Sequence, residues 1–98
     1  MTEPRLFVIY NRDAPGMADT REQHRPAHIA FMKSLGVAAK AGGPILGADG
    51  ETRLGGMFIL EAASLEEAQA VAARDPFKMA GLFETSFVDE WRWQTRNP

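Results

Sequence analysis

Two side chains in this sequence are suited to moving a proton and to holding the group that moves it. His28 lies in a stretch with helical spacing, and Asp75 directly precedes Pro76. An unperturbed imidazole has a pKa of about 6.5, so histidine exchanges protons readily near neutral pH. A carboxylate beside the ring fixes its tautomer and stabilises the imidazolium. The two positions are 47 residues apart (75 − 28 = 47), so only the fold can bring them together.

Both residues also have a purely structural interpretation. His28 suits the border of an amphipathic helix, hydrogen-bonded and inert, because Phe31 and Met32 one turn further on are apolar. Aspartate followed by proline is the usual pair at a helix N-cap and first turn. Since a cap needs one carboxylate oxygen, the other oxygen of Asp75 is left for an imidazole. The structural and the chemical roles are therefore compatible.

Other site types find little support in the sequence. His24 and His28 have a spacing found in metal sites, but Pro26 lies between them and no glutamate motif follows, so we expect a surface histidine and no metal. The chain has no cysteine, which excludes disulfides, thiolate catalysis and cysteine-ligated zinc. The glycine pairs at 42–43 and 55–56 lack the spacing of a phosphate-binding loop, and we expect no cofactor.

Length and composition predict one folded domain over residues 1–98. The chain is 45% hydrophobic and 24% charged, with a formal charge of −2. Its basic residues are scattered, so it lacks the electrostatic pattern of a nucleic-acid-binding protein. The N-terminus has no signal-peptide pattern, and no apolar run is long enough to cross a bilayer. We therefore expect a cytoplasmic protein with no membrane contact.

The hydrophobic periodicity predicts six elements in the order strand, helix, strand, strand, helix, strand. Their predicted ranges are 5–11, 18–37, 38–46, 55–62, 65–74 and 83–94. Ser64 and Glu67 have the spacing of a capping box before the second helix. This order predicts a ferredoxin-like α+β fold, a βαββαβ antiparallel sheet with two helices on one face.

Both faces of the central strands are apolar, which is unusual for a sheet covered on one side only. In the first strand Leu6, Val8 and Tyr10 alternate with Phe7 and Ile9, and the third strand repeats the pattern. A monomer would leave one apolar face in water. We expect a homodimer that packs sheet against sheet; the alternative is a C-terminal strand or loop that folds over the open face.

Five short segments, in this order and spacing, resemble the YCII-related family of small dimeric α+β-barrel proteins. They are Phe7–Tyr10, Arg25–His28, Ala41–Pro44, Ala73–Phe77 and Ala80–Phe83. The resemblance implies that two sheets form a dimeric α+β barrel. One departure is an extra glycine, because the family often has Ala-Gly-Pro at the third segment; the insertion can shift the loop and the pocket with it.

The resemblance also implies a set of site residues. His28 and Asp75 match the family's active-site pair. The residues expected around a substrate are Arg25, Tyr10, Pro44 and Phe77. For two of them the residues themselves leave alternatives: Arg25 either binds an anionic group or is solvated, and Tyr10 either lines the pocket or packs in the dimer core.

One branch of the family is a dehydrochlorinase of chlorinated hydroxyquinols, and related dimeric barrels include muconolactone isomerase. The leading hypothesis is a cofactor-free lyase or isomerase that acts by general acid–base chemistry on a small planar organic molecule. In it, His28 takes a proton and Asp75 holds the ring. The alternative is a non-catalytic dimeric module that binds a small molecule or a partner domain. A haem-handling monooxygenase of related barrel fold is a weaker third hypothesis.

Overall fold

The computed structural model describes residues 4–97 as an antiparallel sheet with helices packed on one face. Its elements are β1 Leu6–Asp13, α1 Ala18–Leu35, β2 Ala39–Leu46, β3 Arg53–Glu61, α2 Leu65–Ala73, α3 Pro76–Met79 and β4 Phe83–Trp91. The strands are hydrogen-bonded in the order β2-β3-β1-β4. This confirms the predicted ferredoxin-like α+β fold, to which α3 adds one short turn of helix. No helix within residues 4–97 is both long and apolar enough to cross a membrane.

Local signals in the sequence set several of these boundaries. Ser64 caps α2, since its hydroxyl oxygen accepts a hydrogen bond from the Glu67 amide at 3.1 Å. The Glu67 carboxylate in turn accepts from the Ala63 amide at 3.2 Å, which completes the predicted capping box. At the other helix, α1 ends before Gly36, whose φ of 58° few other residues adopt. A 3-10 turn over Gly36–Ala38 then leads into β2.

Pro26 lies inside α1. A proline has no amide hydrogen, so the helix lacks the bond that would reach the Glu22 carbonyl. Both residues are exposed, and water can hydrogen-bond that carbonyl. The helix therefore continues past Pro26 through His28 and ends at Leu35.

The end predicted for the last strand is wrong by three residues. β4 ends at Trp91, not at residue 94. Beyond it, the Trp93 indole nitrogen donates to the Thr95 carbonyl at 3.0 Å, a local turn contact rather than sheet pairing. The Trp91 and Trp93 rings still lie 5.6 Å apart.

The hydrophobic core lies between the sheet and the helices, on what we call the covered face. Its buried residues are Phe7, Ile9, Phe58, Leu60, Ala62, Ala68 and Val71. On the opposite side, which we call the open face, alternate strand residues line up through the pairing of β1 with β3 and β4. They are Leu6, Val8, Tyr10, Met57, Ile59, Phe87 and Trp91. Both faces of the central strands are therefore apolar, as the alternation predicts.

Candidate active site

A cavity of about 450 Å³ lies on the covered face, between α1 and the part of the sheet where β2 and β3 pair. Helix α1, the start of α3 and all four strands contribute to its wall. Residues that matter for its chemistry are Asn11, Arg25, His28, Pro44, Gly56, Asp75 and Phe77. A cavity of this size accommodates a small organic molecule.

His28 and Asp75 meet at the edge of this cavity. The Nδ1 atom of His28 lies 2.8 Å from Oδ1 of Asp75. The carboxylate side chain is 1% exposed, whereas the imidazole is 25% exposed. A histidine on α1 and an aspartate after α2 thus form a direct hydrogen bond, with the ring on the accessible side.

Asp75 is also the N-cap of α3, but not in the way the sequence suggested. One oxygen, Oδ1, accepts both from His28 and from the Phe77 amide, the latter at 3.0 Å. The other oxygen, Oδ2, is buried and has no hydrogen-bond donor within residues 4–97. The expectation of one oxygen for the cap and one for the imidazole is therefore wrong. Because the helix cap and the histidine share an oxygen, the position of α3 fixes the position of the ring.

This arrangement defines which ring nitrogen is free to react. When the Asp75 carboxylate is ionised it can only accept hydrogen bonds, and Nδ1 of His28 is then the donor in this contact. In a neutral ring the lone pair is then on Nε2. Nε2 is the atom that His28 can present as a base to a molecule in the cavity.

Phe77 holds the imidazole from one side. Its ring is stacked with that of His28, with 4.2 Å between centroids and 14° between planes. The Arg21 guanidinium lies 4.7 Å from the Phe77 centroid, and Phe83 meets the same ring edge-on at 6.2 Å. Arg21 is fixed by a two-point ion pair with Asp13, at 2.7 and 2.9 Å. Most of the Arg21 and Asp13 side chains are buried, so this pair anchors the aromatic support of His28.

The charge around the cavity is mainly positive. Arg25, Lys33 and Arg53 line it and are exposed, whereas Asp75 supplies the only carboxylate that residues 4–97 contribute to the lining. This carboxylate is already bonded to His28. The cavity therefore favours an anion over a cation. Among residues 4–97, no three histidine, cysteine or acidic side chains are grouped so that they could hold a metal ion.

The structure brings Arg25, Pro44 and Phe77 to the cavity beside His28 and Asp75. It does not bring Tyr10 there. In β1 the neighbours of Tyr10, Ile9 and Asn11, face the helices, so Tyr10 is on the open face. Its ring stacks on Phe87 with 5.2 Å between centroids. Tyr10 is therefore not in the wall of this cavity, contrary to the expectation that it contacts substrate there, and within the chain its ring packs on the open face.

Asn11 is a cavity residue that the sequence reasoning missed. It is buried, and its Oδ1 accepts a hydrogen bond from the Ser86 hydroxyl. The signal was present in β1, where Phe7, Ile9 and Asn11 share one face by simple alternation. A polar residue in an otherwise apolar series indicates a change of environment at that point of the sheet.

Comparison with known proteins identifies the relatives of this chain. The model of the YCII-related domain family matches residues 5–92. Protein YciI of Escherichia coli is 35% identical over 86 residues, which cover 81% of this chain and 88% of the relative. The similarity is thus not confined to one motif.

Solved structures give the same result. The 5-chloro-2-hydroxyhydroquinone dehydrochlorinase of Burkholderia phenoliruptrix, solved with 2,5-dihydroxybenzoquinone, is 37% identical with a TM-score of 0.83, over 89% of this chain and 93% of that one. The hydroxynitrile lyase of Passiflora edulis is 15% identical with a TM-score of 0.50, over 98% of each chain, and shares the fold alone. The matched length and the identity to YciI leave one conclusion: the chain belongs to the YCII-related family.

Proposed function

We propose that this protein is an enzyme that removes a proton from a small planar organic molecule, in an elimination or an isomerisation. The observation that carries the proposal is the 2.8 Å contact between His28 Nδ1 and the buried Asp75 carboxylate at the wall of the cavity. The similarity to a dehydrochlorinase at 37% identity supports the same class of chemistry.

The proposed step uses the free nitrogen of His28. Nε2 takes a proton from the substrate, and the electron pair of the broken bond forms a new double bond. In an elimination a leaving group such as chloride departs with its own electron pair. In an isomerisation the imidazolium returns the proton to another atom of the same molecule. Asp75 stabilises the positive ring while it holds the proton, and a positioned base of this kind contributes a rate factor of about 10² to 10⁴.

The cavity supports a planar and anionic substrate. Phe77 and Pro44 offer apolar surface, and the volume of about 450 Å³ accommodates a single substituted ring. Arg25 is exposed at the same cavity, so its guanidinium can bind a phenolate or carboxylate oxygen. In this proposal Arg25 binds the anionic group, which is one of the two roles that the sequence left open.

The test compares the wild type with His28→Ala and Asp75→Asn on 5-chloro-2-hydroxyhydroquinone and on a panel of hydroxylated aromatics and lactones. We expect kcat/KM to fall by about 10² to 10⁴ for His28→Ala. Asparagine can keep both bonds to its one carbonyl oxygen, but it carries no negative charge to stabilise the imidazolium, so we expect a smaller fall in kcat/KM than for His28→Ala. The matched control is His24→Ala, which removes a histidine of α1 that does not line the cavity.

The outcomes separate catalysis from binding. Turnover that survives both substitutions removes the pair from the mechanism. If the wild type binds members of the panel and converts none of them, the protein is a binding module instead. In that case the imidazole of His28 serves recognition rather than proton transfer.

We further propose that two copies of this chain pair through their open faces. Phe87 is 48% exposed and Met57 36% exposed on that face, beside Tyr10 and Val8. Apolar patches of this kind are uncommon on monomers. A second copy presents the same patch and buries both.

A further inference from the structure

One row of residues runs across the whole sheet beneath the cavity. Pro44 pairs with Gly56, Gly56 pairs with Asn11, and Asn11 pairs with Ser86, so that β2, β3, β1 and β4 each contribute one residue. We call these four residues the floor row. Pro44, Gly56 and Asn11 line the cavity.

The floor row differs from the next row on the same face. There, Ile9 pairs with Phe58 and with Val88, and Phe58 pairs with Gly42. Ile9 and Phe58 belong to the closed core. Two residues away along each strand, smaller or polar residues take the place of these apolar ones. Gly56 lies two residues from Phe58 in β3, and the hydrogen-bonded Asn11 and Ser86 lie two residues from Ile9 and Val88 in β1 and β4. The replacement both opens space and introduces polar atoms.

Asn11 has one polar atom to offer to the cavity. Its Oδ1 accepts from Ser86, and its Nδ2 donates to no acceptor within residues 4–97. Nδ2 is reached by solvent through the cavity that Asn11 lines, so an acceptor for it has to come from there. A ligand oxygen in the cavity would supply that acceptor. The bond to Ser86 orients the amide so that the NH₂ group remains free.

Gly56 keeps the space above the floor row open. Apart from its two chain neighbours, residues 4–97 would bring only the Gly43 carbonyl oxygen within 4 Å of a Cβ atom added at Gly56, at 3.6 Å. The backbone of Gly56 does not require glycine, because its φ is outside the left-handed region. Its lack of a side chain is therefore explained neither by a clash nor by backbone strain. It leaves room for a flat group lying on the sheet.

We propose that the floor row is the base of the substrate site, and that Asn11 Nδ2 donates a hydrogen bond to an oxygen on a planar ring lying over Gly56. The substrate class is then a ring with a hydroxyl, phenolate or carbonyl oxygen. This inference rests on the proposed function, because it concerns the same cavity. Removal of a proton from such a ring places negative charge on the oxygen, where a preorganised donor stabilises it.

The probe for this proposal is 2,5-dihydroxybenzoquinone, with affinity measured by calorimetry. Asn11→Asp keeps an acceptor for Ser86 but replaces the free donor with an acceptor. Hydrogen bonds to charged groups contribute about 1.5–3 kcal/mol, so we expect a roughly 10- to 100-fold loss of affinity. The matched control is Gln69→Glu, the same amide-to-acid change at an exposed position of α2.

Two further measurements do not depend on the folding of Asn11→Asp. Gly56→Ala places one methyl group in the cavity without a clash, so we expect weaker probe binding and an unchanged unfolding midpoint. In the wild type, an Asn11 Nδ2 proton resonance should move downfield when the probe binds. The side-chain amides of the exposed Gln23 and Gln69 serve as internal controls and should not move.

Failure of this inference is distinct from failure of the proposed function. The proposal for the floor row is overturned if Asn11→Asp and Gly56→Ala bind the probe with wild-type affinity, or if the Asn11 resonance does not move. This holds even if His28→Ala abolishes turnover. A wild type that does not bind the probe at millimolar concentration overturns it as well. Conversely, weak binding in both variants supports the floor row even if turnover persists without His28.

Discussion

The two faces of the sheet are built from the same strands, yet they depart from their expected patterns in opposite ways. The covered face is apolar at Phe7 and Ile9 and then turns polar at Asn11. The open face should be polar, but it carries apolar residues such as Val8 and Tyr10. On each face the departure marks the region to which we assign a function. On the covered face, the polar residues lie where the cavity is. On the open face, the apolar residues form the surface that we propose for a second copy.

The faces also differ in how their contacts are satisfied. The covered face is filled by residues of the same chain, since α2 contributes Ala68 and Val71 to its core. The open face leaves Phe87 and Trp91 exposed. Stability of a single chain should therefore depend mainly on the covered face. Association should depend on the open face.

The largest effect on folding is expected from Phe7→Ala. Phe7 is fully buried in the core of the covered face. Removing a buried phenylalanine side chain costs about 3–5 kcal/mol, which is a large part of the stability of a small domain. The free energy of unfolding, measured by urea denaturation, should fall by that amount.

The adjacent substitution Val8→Ala is its control. Val8 is only partly buried, on the open face of the same strand. We expect a loss well below that of Phe7→Ala at low protein concentration. Equal losses for the two variants would contradict the assignment of the core to one face.

Met57→Glu should have its main effect on association. Met57 lies on the open face of a central strand and is 36% exposed, so a single chain can accommodate glutamate there. In a sheet-to-sheet dimer two such carboxylates would be buried without partners, at a cost of several kcal/mol. Sedimentation should change from twice the chain mass to the single-chain mass of 10.8 kDa.

Val37→Glu provides a matched control for this charge. Val37 is 88% exposed in the 3-10 turn after α1 and is not part of a strand. It should leave the sedimentation of the wild type unchanged. A wild type that sediments as one chain at micromolar concentration would refute the proposed dimer.

Much of the fold was predictable because its signals are local. The Ser64–Glu67 capping box and the Asp75–Pro76 start of α3 each fix a boundary within a few residues of sequence. The alternation in β1 predicted two apolar faces. The end of β4 was not predictable in this way, because Trp93 continues the aromatic pattern after the sheet pairing has stopped.

The site was less predictable, since its residues come from separate elements. The chemistry of His28 and Asp75 suggested the pair, but only the family resemblance, and no local pattern, indicated that they lie in one site. The bond between Asp13 and Arg21 depends on the angle between β1 and α1, which the sequence does not specify. Asn11 could have been found, however. The alternation that places Tyr10 on the open face also places Asn11 under the helices.

The smallest expected effect is on the turn between β2 and β3. This turn determines which residues of the two strands lie on each face of the sheet. Asp49 accepts hydrogen bonds from the Glu51 and Thr52 amides, at 2.9 and 2.8 Å, and from the Thr52 hydroxyl. These bonds, the Thr52 hydroxyl first, lower the pKa of Asp49 from 3.8 to about 2. Because a one-residue slip of this hairpin would move Gly56 off the covered face, the turn matters for the cavity.

A lowered pKa means that the folded turn favours the ionised carboxylate of Asp49. Its contribution to stability is complete above about pH 4 and is lost as the pH falls through the folded-state pKa of about 2. A carbon-13 titration of the Asp49 carboxyl should show that midpoint. In Thr52→Val the pKa should rise, because the hydroxyl bond is removed, whereas Thr85→Val on β4 should leave it unchanged. The same midpoint in Thr52→Val and in the wild type would show that the Thr52 hydroxyl does not stabilise the turn. The register that places Gly56 in the floor row would then need another cause.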